Sequence, residues 1–271
     1  MNIKSGRSQL TLFIVISYAY LWLLFGIGKL LDIPFSYDIQ QPGGIIVLIG
    51  VPASLFAASL VTLITSGTDG LRRLFRDALH WRIDPIWYLF GLLTPLLVAV
   101  ACGAAAVLIN GDTIRDSWFS PSMPLGLMVF LLVYIGLGEE IGWRGFALPR
   151  FQEHCGPLWG SIATGVFWAL WHLPLFLMPG SSQYGHSVLL FIYVLVCWTI
   201  PMAVFVGKAR GSVIPAILFH ISVNFWAFAI YVPYRYFYVF WGITAAISAA
   251  FLSRSMAGVV RRPARDDCSD I

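Results

Sequence analysis

Gly138-Glu139-Glu140-Ile141-Gly142-Trp143-Arg144-Gly145-Phe146 closes an apolar run, Leu125 to Leu137, that contains no charged residue. Two adjacent carboxylates and an arginine therefore sit at the end of what reads as a membrane helix. An ionisable group inside a bilayer is costly to desolvate, so its presence there marks a functional site by default. On a helix Glu140 and Arg144 are four residues apart, share a face and can pair. Glu139 points about 100° away from that pair, and no basic residue lies three or four positions from it. An ion pair that only fixes helix packing explains Glu140 and Arg144, because buried charges must be paired in any case. It does not explain Glu139.

The rest of the chain supports a bilayer setting. Its 271 residues are 59% hydrophobic and 11% charged, with mean hydropathy +0.80. Soluble domains carry about 25% charged residues, so this composition specifies an integral membrane protein. Cys102, Cys155, Cys197 and Cys268 are scattered, with no CxxC pair and no zinc-ribbon spacing. Neither a disulfide framework nor a cysteine metal site is suggested. Cys268 stands fourth from the end, the position of a prenylation box, but Ser269 and Asp270 after it are not aliphatic. Lys4 and Arg7 precede an apolar run that lacks a small-residue cleavage site, so that run is read as the first anchor.

About 20 apolar residues cross a bilayer as a helix. By that measure spans are expected near 10–31, 43–66, 86–109, 125–148, 157–178, 187–207, 212–231 and 236–253. The expected fold is all-α: a polytopic membrane bundle of about eight transmembrane helices. Residues 1–271 form one integral-membrane domain in this reading, with a motif-bearing core over 125–231. Placing both termini in the cytoplasm leaves only Lys29, Arg115 and Arg235 outside, so 14 of the 17 basic residues fall inside. That bias follows the positive-inside rule and favours a multi-pass protein of the plasma (inner) membrane. Between spans two and three, Leu71, Leu74, Phe75 and Leu79 have helical spacing among Arg72, Arg73, Arg76 and Arg82. This predicts an amphipathic helix on the cytoplasmic surface within 68–84.

Two of the five histidines, His172 and His220, fall inside spans. Glu139 is 11 residues before Arg150 at the cytoplasmic end of its span, and His220 is 10 residues after Arg210. At 1.5 Å per residue these depths are roughly 16 and 15 Å, and His172, 15 residues after Pro157, lies at roughly 22 Å at most. Helices running in different directions thus bring three titratable groups to similar depth. Asn224 follows His220 by one helical turn and shares its face. Two chemistries remain open. Glu139 and His172 can activate water while His220 and Asn224 stabilise an oxyanion. Alternatively Glu139, His172 and His220 can ligate Zn²⁺ with one position left open. His-Glu-x-x-His, Gly-x-Ser-x-Gly and Gly-x-Gly-Asp are all absent. Pro174, Pro201 and Pro215 can kink their helices, and Trp143, Trp168 and Trp171 read as packing aromatics.

Glu139-Glu140-x-x-x-Arg144, within Gly-Glu-Glu-Ile-Gly-Trp-Arg-Gly-Phe-Ala-Leu-Pro-Arg-Phe-Gln, resembles the first motif of the CPBP family. These are CAAX protease and bacteriocin-processing membrane proteins, related to Rce-type prenyl-protein proteases. The family's second motif, Phe-x-x-x-His, is similar to Trp168-Ala-Leu-Trp-His172, with Trp in place of the usual Phe. His220-Ile-Ser-Val-Asn224 resembles the last motif, His-x-x-x-Asn. The resemblance implies an all-helical intramembrane endopeptidase acting on a membrane-associated protein or peptide. It implies that Glu139 and His172 activate water and that His220 and Asn224 hold the oxyanion. Glu140 and Arg144 support them, and the family is described both as zinc-dependent and as metal-free. The same resemblance leaves a non-catalytic scaffold or bacteriocin-immunity protein as the alternative. A proton-coupled transporter ranks last, since no repeat halves are found. The expected partners are membrane lipid and the substrate, with no nucleic acid.

Overall fold

The computed structural model describes residues 5–113, 125–229 and 234–257. Lys4, Arg115, Arg261, Arg262, Arg265, Cys268 and the end of the seventh expected span at 230–231 lie outside the described residues. Helices account for every regular element among them. In chain order these are α1 Gly6–Leu30, α2 Pro42–Gly50, α3 Ala53–Ala78, α4 Pro85–Asn110, α5 Leu125–Glu140 and a π-helical segment Ile141–Ala147. Then come α6 Leu148–Cys155, α7 Pro157–Trp171, a 3-10 turn Leu173–Leu177, α8 Val188–Lys208, α9 Ile214–Ala229 and α10 Tyr234–Ala257. The all-helical, polytopic bundle expected from composition is what forms. Six helical stretches are long and apolar enough to cross a membrane: 6–30, 42–78, 85–110, 157–177, 188–208 and 236–254. α5 and α9 have 16 residues each.

Local chemistry sets the ends of these helices. Ser5, Asp84 and Ser187 accept hydrogen bonds from first-turn backbone N–H groups at the starts of α1, α4 and α8, filling donors that a helix leaves open. Pro42, Pro85 and Pro157 open α2, α4 and α7, where a missing N–H costs nothing. Gly67 interrupts α3 with φ 65° and ψ −168°, a conformation suited to glycine. The amphipathic stretch begins after that break. Arg72, Arg73 and Arg76 are exposed there, while Leu71, Leu74 and Phe75 are half-buried. The regular helix stops at Ala78, short of the expected 84.

Two proline expectations are corrected. Pro174 does not kink span five; α7 ends at Trp171, and Pro174 sits in the 3-10 turn that follows. Pro215 belongs to the first turn of α9, not its interior. Of these three only Pro201 lies inside its helix, as Pro95 does in α4.

Lipid tails are as apolar as leucine, so packing and hydrogen bonds rather than the hydrophobic effect hold membrane helices together. α1 and α7 interlock this way. Tyr18 donates to the Phe167 carbonyl at 2.5 Å, Trp22 to the Trp171 carbonyl at 3.0 Å, and Trp171 back to the Ser17 carbonyl at 3.1 Å. Between α7 and α8, a Cβ on Gly165 would lie 2.7 Å from the Val196 Cα, so only glycine permits that approach. The buried residues form two clusters. One joins Phe13, Trp143, Phe146 and Trp171; the other joins Ile141, Phe205, Phe219 and Trp241. The segment after Glu139 contributes to both, which fixes it at the centre of the bundle.

Candidate active site

α5 carries the two glutamates at its last two positions, and the backbone then widens into the π-helical segment. A π turn is rare, costs regular hydrogen bonding and recurs at functional sites. Here a residue of α3 meets it. Ser54, fully buried, directs its hydroxyl at the carbonyls of Gly138 (3.0 Å) and Glu139 (3.2 Å). Gly142 makes that contact possible, since a Cβ there would lie 2.6 Å from both the Ser54 carbonyl carbon and its Oγ.

Glu140 and Arg144 pair at 3.0 Å with both side chains fully buried. The pair is part of a larger set. Arg144 Nη2 donates to Thr199 Oγ1 at 3.0 Å, and Thr199 passes its own hydrogen to the Leu195 carbonyl. His220 Nδ1 lies 2.8 Å from Glu140 Oε1. A carboxylate only accepts, so Nδ1 carries the hydrogen. His220 Nε2 is then a lone pair in the neutral ring and a donor only in the imidazolium.

Glu139 faces away from this pair. Its Oε2 accepts from the Trp168 indole at 2.7 Å and stands 3.8 Å from His172 Nε2. His172 caps the C-terminus of α7, and its Nδ1 is 2.8 Å from the Trp168 carbonyl. A carbonyl also only accepts, so His172 presents the Nε2 lone pair to Glu139. Two acceptors 3.8 Å apart cannot bond to each other; they suit a donor with two hydrogens, such as water.

Glu139, His172, His220, Asn224 and Trp168 line one cavity of about 150 Å³. The depth argument from sequence therefore brings together the residues it named. Tyr37, from the loop between α1 and α2, lines the same cavity. Burial, and then the nearby Glu139 carboxylate, push its phenol up to about 12, so it stays protonated. Among the described residues no group of three or more His, Cys, Asp and Glu is placed to hold a metal ion. Glu139, His172 and His220 each offer a suitable donor atom but do not close around one point as a zinc site.

Sequence reading missed four contributors: Ser54, Thr199, Tyr37 and the indole of Trp168. Trp168 was read as packing, yet it bonds directly to Glu139. The only signal was its place four residues before His172 on the same helix face.

Residues 121–226 match the family described as "Type II CAAX prenyl endopeptidase Rce1-like". The chain is also 26% identical over 244 residues to "CAAX prenyl protease 2" of Methanococcus maripaludis, covering 82% of this chain and 85% of that protein. Glu139, Glu140, Arg144, His172, His220 and Asn224 all lie inside the matched segment 121–226. Ser54 and Tyr37 lie outside it, so the site is completed by the N-terminal helices.

Proposed function

We propose that this protein is an intramembrane endopeptidase that cleaves a membrane-associated protein or peptide. The observation that carries this reading is the pair of acceptors, Glu139 Oε2 and His172 Nε2, facing each other at 3.8 Å inside a buried cavity. A water held between them loses a proton to Glu139 as its oxygen attacks the carbonyl carbon of the scissile bond. The carbonyl electrons move onto oxygen. Asn224 and the imidazolium form of His220 stabilise that oxyanion, with Glu140 balancing the charge on His220. Glu139 then returns the proton to the departing amine. Glu140 and Arg144 hold the ring of His220 and do not touch the substrate. No step in this scheme is routed through a metal.

The domain match and the curated relative support a substrate ending in a prenylated CAAX box. The test uses purified protein in liposomes with a fluorogenic peptide carrying such a terminus, prenylated and unprenylated. Wild-type protein is expected to cleave it and Glu139→Gln to lose turnover while keeping its melting temperature. Equal activity of Glu139→Gln and wild type would instead favour the scaffold or immunity reading.

A further inference from the structure

Trp168 touches four titratable members of the site: Glu139, Arg144, His172 and His220. Its indole nitrogen donates to Glu139 Oε2 at 2.7 Å, and its carbonyl accepts from His172 at 2.8 Å. Its ring lies 3.9 Å beneath the Arg144 guanidinium. Edge-on contacts follow with the His172 ring at 5.8 Å and the His220 ring at 5.3 Å. The side chain is 1% exposed, so none of these contacts competes with water.

Four of these five contacts need only an aromatic ring and a backbone. The fifth needs the indole N–H. We propose that Trp168 is a positioning residue whose indole N–H fixes the Glu139 carboxylate in the rotamer that reacts. A glutamate side chain has three rotatable bonds, and its last torsion is broad. The indole commits Oε2 to one place, beside His172 Nε2, where the two acceptors hold the water between them. Hydrogen bonds to a charged acceptor are roughly twice as strong as neutral ones, and this one is short and dry. Trp168 therefore does more than fill space between α5, α7 and α8. It couples the water-activating pair to the ion-paired set, since the same ring sits on Arg144.

This inference rests on the proteolytic reading above. Its test is Trp168→Phe, which keeps an aromatic ring under Arg144 and removes the donor. A second replacement, benzothienylalanine at position 168, keeps the two-ring shape and carries sulfur where indole has N–H. Both proteins are assayed in liposomes with the fluorogenic prenylated CAAX peptide, and both are melted. Holding a reacting group in its attack geometry contributes to rate and not to ground-state binding. kcat is expected to fall roughly 10-fold, the lower end for a bond to a charged group, with KM and melting temperature unchanged. Unchanged or faster turnover in the benzothienylalanine protein overturns the inference. A fall in kcat matched by a lower melting temperature in both proteins overturns it too, because that is what packing alone predicts. If wild type cleaves nothing, the proteolytic reading fails first and the role of Trp168 falls with it.

Discussion

Glu140 Oε1 receives both Arg144 and His220, and all three side chains are buried. Removing one member strands the others in a medium that cannot solvate them. Breaking a buried pair by deleting one partner costs about 3–5 kcal/mol. Arg144→Leu and Glu140→Gln are therefore expected to lower the melting temperature clearly, whereas Glu139→Gln leaves it near wild type. Melting all three variants in the same detergent checks this; similar melting temperatures would mean that Glu140 and Arg144 do not act as a stabilising pair. Asn224 and His220 separate differently. Asn224→Ala is expected to reduce kcat by about 10²–10³, the usual cost of one oxyanion donor, with KM nearly unchanged. The zinc alternative makes its own prediction at this scale. If Glu139, His172 and His220 bind zinc, active protein contains it near-stoichiometrically, and chelation stops cleavage until zinc is returned. The arrangement of the three side chains leads us to expect full activity after chelation, with no zinc by elemental analysis.

At the scale of elements, the close approach of α3 to the π-helical segment positions Glu139. Ser54 bonds to the carbonyls of Gly138 and Glu139, and Gly142 leaves room for it. A methyl at position 142 meets the Ser54 backbone at 2.6 Å, and backbone cannot yield as a flexible side chain can. Gly142→Ala is expected to cost about 1–3 kcal/mol, the range for overpacking, and to reduce kcat more than Ser54→Ala does. Denaturation and kinetics of the two variants test the order; the reverse order would place the constraint in the hydrogen bond rather than in the spacing. This element also shows what sequence could and could not reveal. Gly138 and Gly142 stand four apart, a small-xxx-small spacing that lets helices approach closely, and the i,i+4 spacing announced the Glu140–Arg144 pair. Neither could say that α5 gives way to a π turn at Ile141. The residue that meets this turn, Ser54, lies 84 positions before Gly138, whose carbonyl it bonds. Thr199 and Trp168 were hidden for the same reason. A periodicity names the face a residue occupies, but not the side chain that arrives from another helix.

For the whole molecule, the order of loops along the chain ties topology to the site. The loop after α1 and the turn after α7 meet directly, with Phe35 N–H bonded to the Pro179 carbonyl at 3.1 Å. These two segments therefore share one side of the bundle, and Tyr37, Ser182 and Gln183 extend the cavity lining toward that side. The arginine-bearing end of α3 is separated from the α1–α2 loop by one crossing, since α2 and α3 together form a single spanning stretch, 42–78. By the positive-inside rule the charge bias favours the arginine side in the cytoplasm, and that is the orientation we propose. The loop containing Gln40 and the turn containing Tyr184 are then on the opposite face. Cysteines introduced at Gln40, Tyr184 and Asp69, all exposed positions, test this in a background where Cys155 and Cys268 are replaced by alanine and only the buried Cys102 and Cys197 remain. A membrane-impermeant maleimide added to intact cells is expected to label Gln40→Cys and Tyr184→Cys and to spare Asp69→Cys until the membrane is opened. Labelling of Asp69→Cys from outside, with Gln40→Cys protected, would invert the protein in the bilayer. The cavity would then open toward the cytoplasm, and a substrate would reach Glu139 from that side past Tyr37 and Gln183.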